Sequence, residues 1–135
     1  MLGKELGGEI GQTTGIRVLS VDDAGPTMEV SFQASGTILG VHTTDMGTYV
    51  ATTRPDGNLY GEGQGAIMTE DGEVVTWKGT GVGKFLGRGT AIAWRGTVYY
   101  QTASQKLAGL NGIAAVYEFD VDEGGKTESK IFEWK

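Results

Sequence analysis

The sequence predicts an all-β protein, a closed antiparallel meander β-barrel of about eight strands with one short helical turn. Three observations carry that expectation. Apolar and polar residues alternate at the two-residue period of a strand in segment after segment, and helical periodicity is nearly absent. Short turns rich in Gly, Asp and Asn join the segments, with no linker between them. Glycine falls on every second residue twice in mid-chain, as Gly61, Gly63, Gly65 and as Gly79, Gly81, Gly83. Mid-strand glycines favour strong coiling and closure, and closure removes exposed edges. A two-sheet sandwich is the alternative architecture.

Each element has its own signal. Ile16 to Val21 reads as a strand, ended by the turn Asp22-Asp23-Ala24-Gly25-Pro26. Thr27 to Ala34 puts Met28, Val30, Phe32 and Ala34 on one face, and it continues past a bend at Gly36 to Leu39. Thr48 to Arg54 is the next strand, stopped by Pro55-Asp56-Gly57. Asn58 to Thr69 and Val74 to about Val82 form a glycine hairpin. With a loop of Asp71-Gly72-Glu73, Gly65 faces Gly79, Gly63 faces Gly81, Gly61 faces Gly83 and Ile67 faces Trp77. All six glycines then share one side of one ribbon.

Thr90 to Thr102 is a long strand with Ile92, Trp94, Gly96, Val98 and Tyr100 on one face and Ala91, Ala93, Arg95, Thr97 and Tyr99 on the other. Ser104 to Leu110 is the one helix-like piece, ended at Asn111-Gly112. Ile113 to Val121 is a strand, followed by the turn Asp122-Glu123-Gly124-Gly125 and a last strand from Thr127 to Lys135. Residues 1–135 read as a single domain.

Composition excludes several functions. The chain has 135 residues, a net charge of -6 and no block of like charge, which argues against nucleic acid and anionic membrane surfaces. With Cys 0, disulfides, thiolate chemistry and zinc–cysteine sites are absent. No run reaches the ~18 apolar residues of a membrane helix. The first residues lack a charged start followed by an apolar stretch, so a cytoplasmic location is expected.

The glycine stripe can serve two ends. Glycine costs roughly 0.5–1 kcal/mol per residue against alanine inside a regular element, so six forgo roughly 3–6 kcal/mol that something must offset. Bare backbone lets a strand bend or another group pack close to it. Alternatively, it widens a cavity inside a small barrel that side chains would otherwise fill.

The stretch Gly79-Thr80-Gly81-Val82-Gly83-Lys84-Phe85-Leu86-Gly87-Arg88-Gly89, followed by a long strand ending in Val98-Tyr99-Tyr100, resembles the glycine-rich hairpin of the allene oxide cyclase and dirigent-type barrels. The resemblance covers about a quarter of the chain and rests mainly on glycines. It implies a small antiparallel barrel, often trimeric, that holds and folds a reactive small molecule in an apolar cavity without a cofactor. The cysteine of that family is absent here, and no functional residue is carried over. The segments Lys106 to Asn111 and Glu133-Trp134-Lys135 also resemble an uncharacterised family of bacterial or archaeal proteins, which implies no function.

Candidate chemistry is sparse. His42 is the only histidine, and on a strand it and Asp45 face opposite ways, so they do not form a local metal pair; no metal is expected. Glu62 and Gln64 alternate with the glycines and share a face with Tyr60, Ala66 and Met68. If the glycines face outward, Glu62 is a buried carboxylate suited to acid–base work; if they face inward, it is solvated. Arg95 is placed to pair with Glu118 across strands, or to clamp an anionic ligand. The expected function is to bind a small, mostly apolar molecule inside the barrel, lined by Tyr60, Gln64, Met68, Trp77 and Trp94. The alternatives are a cofactor-independent cyclase or isomerase using Glu62, or a homo-oligomer, dimer or trimer, whose glycine ribbon is the contact surface.

Overall fold

The computed structural model describes residues 1–135. The strands are β1 (Leu2–Asp22), β2 (Gly25–Ile38), β3 (Val41–Thr53), β4 (Leu59–Thr69), β5 (Val74–Phe85), β6 (Ile92–Thr102), β7 (Ala114–Val121) and β8 (Lys126–Trp134). Each pairs antiparallel with its neighbours in sequence, and β1 pairs with β8 to close an eight-stranded meander barrel.

Two strands start earlier than the sequence pattern suggests. β1 begins at Leu2 rather than Ile16, and β3 at Val41 rather than Thr48. In β1 the run Gly7-Gly8-Glu9-Ile10-Gly11 has no apolar alternation to read. In β3 the inward positions Thr43 and Asp45 are polar, although they are only 6% and 5% exposed. Periodicity of hydrophobic residues cannot reveal a strand whose inward face is glycine or polar. From residue 14 onward β1 pairs with β2 alone, and Ile16, Val18 and Val21 stand exposed there.

The glycine hairpin forms, but its register differs by two residues from the expected one. Gly61 pairs with Gly81, Gly63 with Gly79, and Gly65 with Trp77. The turn explains the slip. Thr69 N–H donates to the Glu73 carbonyl at 2.9 Å, Glu73 N–H donates to Thr69 Oγ1 at 3.0 Å, and Gly72 adopts a φ of 85°. These bonds hold Thr69 through Glu73 as the loop, with Met68 opposite Val74. A slip of two leaves every side chain on its original face, so the glycines remain together.

The expected helix over Ser104 to Leu110 is a single 3-10 turn, Ala108–Leu110. It is held by packing and not by helical propensity. Leu107 and Leu110 are fully buried, and they cap one end of the barrel against Leu6, Ile38, Ile67, Val75 and Tyr100. Asn111 fastens this plug to β6: its Oδ1 accepts from Thr102 N–H at 2.8 Å and its Nδ2 donates to the Thr102 carbonyl at 2.9 Å. Ala51, Leu59, Trp94 and Val121 form a second, smaller core cluster.

Candidate functional site

Alternation along β4 decides which way the glycines point. Leu59 and Ile67 share their parity and are 1% and 3% exposed, whereas Met68 is 45% exposed. The stripe therefore faces the barrel interior. Glu62 and Gln64 are exposed on the outer wall, so Glu62 is no buried acid. Tyr60 and Met68 share that outer face; the Arg54 guanidinium lies 4.6 Å from the Tyr60 ring centroid. Of the five expected lining residues, only Trp77 and Trp94 border the interior cavity. Because the ribbon is bare on its inner side, it offers no outward glycine surface to a second subunit.

Both indoles lie on this bare backbone. A methyl group added at Gly61 would come within 2.7 Å of Trp94 Cζ3, and one at Gly83 within 2.9 Å of Trp94 Cε3. The same addition at Gly65 would collide with the Trp77 ring, and at Gly47 it would meet Phe32 and Trp77 at 2.6 and 2.7 Å. Close packing and cavity making thus occur together. Glycine admits the two largest side chains and still leaves an unfilled chamber of about 90 Å³. That chamber is smaller than the cavity of ~150 Å³ that holds benzene, so a ligand of that size must shift the lining side chains.

The chamber wall is mainly aromatic. Phe32 and Phe119 ring centroids are 5.0 Å apart, and Tyr49 meets Trp94 edge-on at 5.5 Å. Burial pushes the Tyr49 and Tyr117 hydroxyls up to about 12 and raises that of Tyr100, so all three stay protonated near neutral pH. Tyr117 donates to the Thr80 carbonyl at 3.1 Å. Trp94 Nε1 is buried without a well-formed hydrogen bond.

Two carboxyls stand in this apolar wall, Glu9 from β1 and Asp45 from β3. The strand between them makes their meeting possible. On β2, Gly36 lies opposite Glu9 and Ala34 opposite Asp45. Neither residue has a side chain long enough to separate the acids, and the two carboxyls interact across β2. Trp77 Nε1 donates to Asp45 Oδ1 at 2.9 Å. Burial foremost, and then the Asp45 charge, push Glu9 from its ordinary 4.5 up to about 9. Asp45 is also raised by burial, but the hydrogen bonds from Glu9 and Trp77 oppose the rise. The Trp77 N–H marks Asp45 as the acceptor of the pair, and Glu9 as the group that holds its proton to higher pH.

The other expected sites lie outside the chamber. His42 is exposed on the outer face while Asp45 points inward. Arg95 lies in register with Glu118, yet its ion pair is with Asp120, Nη1 to Oδ1 at 2.7 Å, both side chains about half exposed. No three His, Cys, Asp or Glu side chains cluster in metal-binding fashion.

The fold is shared with solved structures at low sequence identity. A protein of unknown function from Clostridium acetobutylicum superposes with a TM-score of 0.83 at 14% identity, covering 96% of each chain. A β-barrel-like protein from Acinetobacter baumannii gives 0.81 at 14% identity, over 100% of this chain and 96% of its own. An enzyme from Penicillium herquei gives 0.71 at 18% identity, over 96% of this chain and 92% of its own. No family model matches the sequence, and no curated protein matches it. The chain is similar to these small barrels in fold.

Proposed function

We propose that the barrel binds a small, mostly apolar molecule in the chamber bordered by Phe32, Tyr49, Trp77, Trp94 and Phe119. The observation that carries this is the inward glycine stripe. An eight-stranded barrel has just enough interior for its own side chains, so removing six of them on one wall opens space that the two indoles do not fill. Apolar pockets with a few convergent polar groups are the usual form of a small-ligand site. The resemblance of the glycine-rich stretch to allene oxide cyclase and dirigent-type barrels is in keeping with this reading, and an enzyme from Penicillium herquei shares the fold.

Cyclopentanone, a compact ketone, tests the proposal by quenching tryptophan fluorescence. Saturable quenching is expected in the wild type, because Trp77 and Trp94 border the chamber. Gly63→Leu, which drives a side chain toward Tyr49 and Trp77, should abolish saturation while the far-ultraviolet circular dichroism is kept. Quenching that rises linearly in both proteins, as exposed Trp134 alone would give, contradicts an interior site.

A further inference from the structure

We infer that the chamber is a proton-transfer site for a small carbonyl compound, with Glu9 as the proton donor and Asp45 as the proton acceptor. This rests on the chamber being a ligand site. The geometry is independent of that premise: two inward carboxyls meet over Gly36 and Ala34, in a wall that is otherwise aromatic and aliphatic. An acid pair placed only for stability would be poor design, since burying carboxyls costs free energy that apolar residues would not. Trp77 holds Asp45 in place as the carboxylate, and the bare backbone at Gly65 gives that indole its seat.

A second observation points to an occupant. Trp94 Nε1, in the same chamber, belongs to a side chain 3% exposed and makes no well-formed hydrogen bond, with the Tyr49 hydroxyl beside it. A buried donor this poorly satisfied favours a polar atom on whatever fills the space. Protonated Glu9 and the Tyr49 and Tyr100 hydroxyls are further donors on this wall, whereas the Tyr117 hydroxyl is already engaged with the Thr80 carbonyl. The matching ligand is apolar with an oxygen acceptor, as in a ketone or an enone.

The chemistry balances without a co-reactant. Asp45 takes a proton from the carbon beside the carbonyl; that C–H bond breaks and its electron pair forms the carbon–carbon double bond. The carbonyl π pair moves to oxygen, which takes the proton of Glu9 as the Glu9 O–H bond breaks. The product is an enol, with Asp45 now protonated and Glu9 now ionised. In the return step the enol proton goes back to Glu9 while Asp45 protonates carbon, at the same atom or at a conjugated one. Protonation at the conjugated atom is an isomerisation, and the pair ends with its single proton restored. General acid–base assistance of this kind is typically worth about 100-fold or more in rate.

The test is deuterium exchange at the carbons flanking the carbonyl of cyclopentanone in heavy water, followed by proton NMR, with binding followed by fluorescence. Wild type should exchange these protons well above buffer. Glu9→Gln and Asp45→Asn should each lose about 100-fold or more of that acceleration while still binding. If the ketone binds saturably but wild type and both variants exchange alike, the proton-transfer role is overturned and the binding site stands. Absence of saturable binding overturns both. Infrared spectroscopy of the wild type needs no variant: a protonated-carboxyl band at neutral pH is expected, and its absence overturns the assignment of Glu9 as donor.

Discussion

Replacing Glu9 by glutamine should flatten the dependence of folding stability on pH. Glu9 has an ordinary value of 4.5 when the chain is unfolded and about 9 in the barrel, mainly through burial. Between those limits the folded protein keeps a proton that the unfolded chain has released. Stability from this group is therefore greatest below the unfolded value and declines as pH rises toward the folded one. At ~1.36 kcal/mol per pH unit, the interval sets a ceiling of roughly 6 kcal/mol. Glu9 is only half-buried and shares its proton, so the realised change should be well under that, on the order of 2 kcal/mol between about pH 5.5 and about pH 9. Asp45 is raised in the same direction and Tyr100 faces the pair from β6, so a shallow slope should remain in the variant. Urea unfolding of wild type and Glu9→Gln across this range measures both slopes. Parallel slopes would refute the assignment of a proton to Glu9 in the folded barrel.

Other substitutions have distinct expectations. Trp77→Phe removes the donor to Asp45, a charge-assisted bond worth about 1.5–3 kcal/mol, and should raise the Asp45 carboxyl further; carbon-13 NMR of that carboxyl reads the direction. Gly65→Val should cost on the order of 1–3 kcal/mol by overpacking against the Trp77 ring and should alter the near-ultraviolet tryptophan signal. Leu110→Ala should cost about 2–5 kcal/mol, because the leucine is fully buried in the plug, and thermal denaturation measures the loss. Glu62→Gln should leave cyclopentanone binding unchanged, since Glu62 is on the outer wall.

The barrel was legible from the period-two pattern and the turns, because most strands carry apolar residues on one face and polar ones on the other. Trp94, Val98 and Tyr100 turn inward as their alternation indicates, and Arg95 and Tyr99 turn outward. The site was harder to read. In GEGQG the acid is between glycines and opposes them, so Glu62 is outside. In Gly7-Gly8-Glu9-Ile10-Gly11 the acid shares parity with Gly7 and Gly11, so Glu9 is inside and Ile10, 61% exposed, is outside. The signal was there, an inverted acid–isoleucine pair flanked by glycines at period two. It gains meaning only once β1 is known to run from Leu2. Asp45 is hidden for the same reason, before the expected start of β3. The meeting of the two acids depends on register across β2, which no local pattern encodes.

Nuclear Overhauser contacts between bound cyclopentanone and the protein locate the ligand with least inference. Contacts to the α-protons of Gly63 and Gly79, together with the Trp77 and Trp94 rings, are the expected result. Contacts confined to outward groups such as Tyr60, Met68 or Trp134 would contradict an occupied barrel interior.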